Sequence, residues 1–111
     1  MSLDRNALLE LMKLKQETIA VEGGEVILSE IGAKDLMDLY TRKELQNESG
    51  DIVMSKFIPA LVAKSVVDDA GNRIFSDEDA ALLEKAASAR FSALARAARR
   101  MNGLAGDESK N

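Results

Sequence analysis

The sequence predicts a mainly α fold of about four to five helices carrying one short β-hairpin near residues 17–30, and three observations carry that expectation. Apolar residues recur at helical spacing along much of the chain, beginning with Leu3, Ala7, Leu8, Leu11 and Leu14. Two arms rich in β-formers, Thr18-Ile19-Ala20-Val21 and Val26-Ile27-Leu28, flank Gly23-Gly24. From Ala80 onward the chain is rich in alanine, leucine and arginine, all strong helix formers.

The first helix is expected over residues 3–15, with Leu9 and Met12 outside its apolar stripe. Gly23-Gly24 then reads as a two-residue hairpin turn, because glycine takes positive φ without penalty. Such a hairpin must pack on helices, since an isolated one is marginal in water. Helical spacing returns with Ala33, Leu36, Leu39 and Tyr40 and stops at the polar cluster Asn47-Glu48-Ser49-Gly50. Asp51 is placed to cap a helix over residues 52–67. That stretch is apolar nearly all round, with Lys56 and Lys64 marking a narrow polar edge, so it belongs in a domain centre or an interface. Pro59 inside it implies either a kink or a later helix start, and the sequence leaves both open. Asp68-Asp69-Ala70-Gly71-Asn72 is a turn by composition. Ser76, with Asp79 three residues on, forms a weak capping box for a helix running from Ala80 to Met101, which Asn102-Gly103 stops. The expected organisation is one helical domain over residues 1–104 and a flexible tail at 105–111.

Composition narrows the chemistry. A chain of 111 residues suits one domain, and an apolar share of 46% is that of a globular protein. Cysteine and histidine are both absent, which removes disulfides, thiolate nucleophiles, the usual base of a catalytic triad and the commonest ligands of zinc and copper. No apolar run approaches the ~20 residues that span a bilayer, and the first residues lack the basic start and apolar core of a signal peptide. The expected location is therefore cytoplasmic. A net charge of −4 argues against general affinity for nucleic acid.

Each candidate site has a plainer reading beside it. The acidic stretch from Asp68 to Asp79 lacks the ligand spacing of a calcium loop: from Asp68 the third position is Ala70 and the sixth Arg73. Nothing in it predicts the burial that would turn Asp68, Asp69, Asp77, Glu78 or Asp79 into acid–base catalysts. Arg96, Arg99 and Arg100 cluster on one side of the last helix and could track phosphates or pair with the acidic segment of a second subunit. The preferred reading is a solvated face that complements the helix dipole. Leu9, Met12, Met37, Ile52 and Met54 fall outside the main stripes and are candidates for protein binding, methionine being adaptable at such surfaces. No cofactor and no metal are expected.

The segment Val66-Val67-Asp68-Asp69-Ala70-Gly71-Asn72-Arg73-Ile74-Phe75-Ser76-Asp77-Glu78-Asp79, with its continuation through an alanine-rich helix to Arg100-Met101-Asn102-Gly103-Leu104, resembles the tail assembly chaperones of siphophages. The lambda tail chaperone belongs to that group. The resemblance covers residues 66–104 and includes no catalytic motif. It implies a protein that binds the helical tape measure protein, keeps it soluble, recruits tail tube protein around it, and is absent from the finished virion. Many members are made in two lengths through a programmed frameshift, and this chain would correspond to the short form. The resemblance also suits a homo-oligomer. Two other readings stand beside it: a small helical nucleic-acid-binding regulator using the arginine face, and an enzyme using carboxylates.

Overall fold

The most apolar stretch of the chain becomes the centre of the fold. The structure, a computed structural model, describes residues 1–104, and the tail expected at 105–111 lies outside the described residues. Helix α3 (Met54–Ser65) buries eight of its residues, among them Phe57, Leu61 and Val62, and the other elements gather around it. In chain order the described residues form α1 (Arg5–Leu11), β1 (Gln16–Val21), β2 (Gly24–Ser29), α2 (Ala33–Thr41), a 3-10 turn (Lys43–Leu45), α3, β3 (Val66–Val67), α4 (Ala80–Leu83) and α5 (Ser88–Met101). The core joins Leu28, Leu39, Leu45 and Ala98 to α3.

The sheet corrects the mainly α expectation. Three antiparallel strands in the order β1-β2-β3 make this an α+β fold. Val66 and Val67, read from sequence as the last turn of a helix, leave it in extended conformation and pair with β2 in the register Ile27↔Val67 and Leu28↔Val66. Two β-branched residues following a buried helix gain more from a ladder than from another turn, because β2 offers them both hydrogen bonds and the Leu28 side chain. The outer edge of β3 is closed in turn by the Val67↔Arg73 bridge. The intervening turn is held by Asp68, whose Oδ1 accepts from the amides of Ala70 and Asn72, with Gly71 at φ +85°.

The hairpin forms where expected, but its turn is shifted by one residue. Val21 pairs with Gly24, so Glu22 and Gly23 make the turn and Gly24 belongs to β2. Gly23 alone has positive φ, at +90°. Helix α3 begins at Met54 and runs through Pro59, so the proline marks no late start, and Val53 rather than Asp51 occupies the cap position. Asp51 instead closes the preceding loop, where its amide donates to Asn47 Oδ1.

The helix expected from Ala80 to Met101 is two helices. Its break falls at residues 84–87, next to a start in which the Ser76 amide donates to Asp79 Oδ2. Alanine favours helix there, but the Lys85 and Ala86 amides bond three residues back, to Leu82 O and Leu83 O, rather than four, and the rod ends. Ala97 and Ala98 are buried, and their small side chains allow α5 to lie close on α3. The stop at Asn102-Gly103 forms as expected: Leu104 N–H donates to Arg99 O at 2.7 Å and Gly103 N–H to Arg100 O at 3.2 Å, with Gly103 at φ +73°.

The turn assignment makes a sharp prediction. Gly23→Ala should cost about 1 kcal/mol because alanine resists positive φ, whereas Gly24→Ala should be neutral or stabilising by up to ~1 kcal/mol. An added Cβ meets nothing within 4 Å at either position, so sterics do not confuse the comparison. Urea denaturation of both variants checks it; equal costs would place the turn at Gly23-Gly24.

Candidate functional site

Among the described residues, the candidates singled out from sequence fall on two apolar surfaces. The first is α1 itself. Asp4 caps it through Ala7 N–H at 2.8 Å, yet no residue of the helix is buried. The expected stripe of Leu3, Leu8, Leu11 and Leu14 therefore faces solvent, as do Leu9 and Met12. The helix is shorter than the expected 3–15, so Leu3 and Leu14 lie outside it, and helical spacing could not say whether this domain covers the stripe.

The second surface lies between α2, the start of α3 and the end of α5. Ile52, Met54, Ile58 and Leu104 line a shallow cleft of about 160 Å3 with Tyr40 and Phe57, whose rings stand 5.4 Å apart. Met54 is half exposed, and Met37, one turn before Tyr40 on α2, is 58% exposed. Of the five residues singled out from sequence, Ile52 and Met54 thus share a cleft, Met37 lies on the helix that borders it, and Leu9 and Met12 sit apart on α1.

The arginine face does not persist as a free basic patch. Arg100 grips Glu17 of β1 with two hydrogen bonds, at 2.8 and 3.0 Å. That contact holds the Glu17 carboxyl below its ordinary range and raises Arg100 further. Arg99 is half-buried and lines the Tyr40 cleft, which leaves Arg96 as the exposed member beside the Arg100–Glu17 pair. Arg100 is thereby committed to a contact within the fold.

Sequence reading missed one cluster altogether. Lys64, expected on the narrow polar edge of its helix, is buried at the end of α3 with Nζ 3.3 Å from Asp38 and 3.5 Å from both Asp35 and Asp77. Arg42 pairs with Asp38 and Asp77, and Arg73 reaches Asp77 at 3.0 Å while also donating to Ala63 O. The hydrogen bond from Arg42 lowers the Asp38 carboxyl; burial opposes it, and the hydrogen bond from Lys64 adds to the lowering. Burial pushes Asp77 up, but the Arg73 hydrogen bond and the charges of Lys64 and Arg42 outweigh it, and the net shift is downward. The cluster locks α2, α3 and the loop before α4 together.

Among the described residues no group of three or more carboxylates is placed to hold a metal ion, and no helix is long and apolar enough to cross a membrane. No family model, curated protein or solved structure matches the chain.

The cage sets the acid limb of stability. Carboxyls depressed below their ordinary value of 3.8 stabilise the fold fully above that pH and lose the contribution as pH falls through their folded-state values. Lys64→Met should cost about 2 kcal/mol at pH 7, a figure discounted because the carboxylates are partly solvated, and the cost should shrink by pH 3. Urea titrations at the two pH values decide it. A cost that does not change with pH would show that Lys64 acts through packing alone.

Proposed function

We propose that this chain is a tail assembly chaperone of a long-tailed bacteriophage, binding the tape measure protein and assisting assembly of tail tube protein around it. In this reading it works in the host cytoplasm, is absent from the finished virion and performs no catalysis. The observation that carries the proposal is the pair of apolar surfaces left uncovered, in which Leu9, Met12, Met37 and Met54 are all at least half exposed. Contiguous apolar surface of this kind marks a protein-binding face. The resemblance of residues 66–104 to the siphophage chaperones supplies the identity of the partner.

The cleft at Tyr40, Ile52, Met54 and Leu104 is the face assigned to the tape measure protein. It is shallow, and it suits an apolar side chain projecting from a helix, the mode by which amphipathic helices are commonly held. Many such weak contacts, repeated by many chaperone copies along one long polymer, give useful avidity. Methionine at the rim lets the cleft accept differing side chains as the polymer sequence changes.

Co-expression with the tape measure protein encoded beside this gene should render that protein soluble and co-purify it. Met37→Asp with Met54→Asp should reduce recovery by roughly tenfold or more while thermal unfolding of the chaperone is unchanged, since both side chains are exposed. An insoluble tape measure protein, with this chain and with any longer frameshifted form, would overturn the proposal. Salt-dependent DNA binding that requires Arg96 would favour the nucleic-acid reading in its place.

A further inference from the structure

Helix α1 spans seven residues, none of them buried, and isolated helices of that length do not persist in water. Six large apolar side chains, Leu3, Leu8, Leu9, Leu11, Met12 and Leu14, are between 41% and 68% exposed on and around it. A partner surface must complete this arm. We propose that it is a second copy of the same chain, and that two copies exchange their α1 arms reciprocally.

The receiving site is a groove of about 560 Å3 between the hairpin and the α4–α5 segment, floored by Val21, Val26, Leu83, Phe91 and Leu94. Alanines at 20, 86, 87 and 93 leave it open along its walls. Its mouth is spanned by Glu22 on the hairpin turn and Arg90 on α5, whose charged groups stand 3.8 Å apart and are mostly exposed. A pair so exposed holds the mouth weakly. The arm carries the complementary charges. At 100° per residue, Met12 adjoins the Ala7, Leu8 and Leu11 stripe on one edge with Arg5 next to it, and Glu10 flanks the other edge. Seated in the groove, Arg5 replaces Arg90 as the partner of Glu22, and Glu10 replaces Glu22 as the partner of Arg90. Residues 1–15 hold three basic and two acidic side chains, whereas the remainder holds twelve and seventeen, so net charge also favours the contact.

The groove does not suit the chain's own arm. It opens at the turn end of the hairpin, while α1 joins β1 at Gln16, which pairs with Ser29 at the opposite end, ~17 Å away along the strand. Folding back would require straightening a linker that is wound helically, with Met12 N–H on Leu8 O and Lys13 N–H on Glu10 O. The six side chains are half exposed or nearly so, and covering them removes apolar area on the scale that a stable interface needs.

The test needs no tape measure protein, so its failure is separate from failure of the chaperone reading. At about 50 μM the full chain should sediment as a dimer. Leu8→Glu with Leu11→Glu should weaken dimerisation roughly a hundredfold. Its melting temperature at high dilution should match that of the wild type, because neither side chain is buried. The chain has no cysteine of its own, so Leu11→Cys in one copy and Ala86→Cys in another can be oxidised as a mixture, and a mixed disulfide dimer is expected. A monomer at every concentration up to 100 μM would overturn the proposal. So would an intramolecular disulfide in the doubly substituted chain, which would return the arm to its own groove.

Discussion

A twelve-residue helix with almost no polar side must be covered from every direction, and α3 imposes that requirement on the remaining chain. Burying each of its Phe, Leu, Val and Ile side chains is worth roughly 1.5–3 kcal/mol, more than any other set of contacts in the fold supplies per residue. A domain this small meets the demand by surrounding α3 with short elements. Helix α2 contributes Leu39, α5 contributes Ala97 and Ala98, and the sheet contributes Leu28. The chain leaves α3 directly as β3, so the helix that needs cover is covalently continuous with the sheet that provides it.

The Lys64 cage belongs to the same constraint. A lysine in the last turn of a helix buried on all sides would be costly unless its charge were answered. Asp35 and Asp38 come from α2, Asp77 from the loop before α4, and Arg42 and Arg73 balance their excess negative charge. The apolar core supplies most of the stabilisation, being larger in area and insensitive to salt. The cage adds direction, because only one placement of α2 and of the loop before α4 brings their carboxylates to the same ammonium group.

Local features were legible from sequence, and long-range ones were not. The hairpin, α2, the Asp68 turn and the Asn102-Gly103 stop each depend on a few neighbouring residues whose conformational preferences are strong, and each formed where expected. Strand β3 was illegible because two residues have no periodicity, and Val66-Val67 simply continued an apolar run. The break before α5 ran against alanine's own preference, so local propensity gave no sign of it. The partners of Lys64 were illegible because its cage is assembled from residues 29, 26 and 13 positions away. The binding candidates belong with the long-range features. Lying off the main stripes did not decide exposure, since Leu8 and Leu11 on the stripe are exposed and Ile52 off it is partly buried, and the meeting of Ile52 and Met54 with Tyr40 and Leu104 in one cleft is a product of tertiary structure.

The contacts between the hairpin and the end of α5 set an order of events. The Ile31 amide is satisfied by Asn102 Oδ1, 71 positions later, and Glu17 by Arg100, 83 positions later. During synthesis the hairpin can close early, since its partners are adjacent, but its inner face has no cover until the last helix has been made. Until α5 has been made, the nascent sheet therefore lacks these contacts and stands beside a half-clad apolar helix. A cell producing this protein in quantity would meet that interval as a window for aggregation, one that rapid docking of α5 brings to an end.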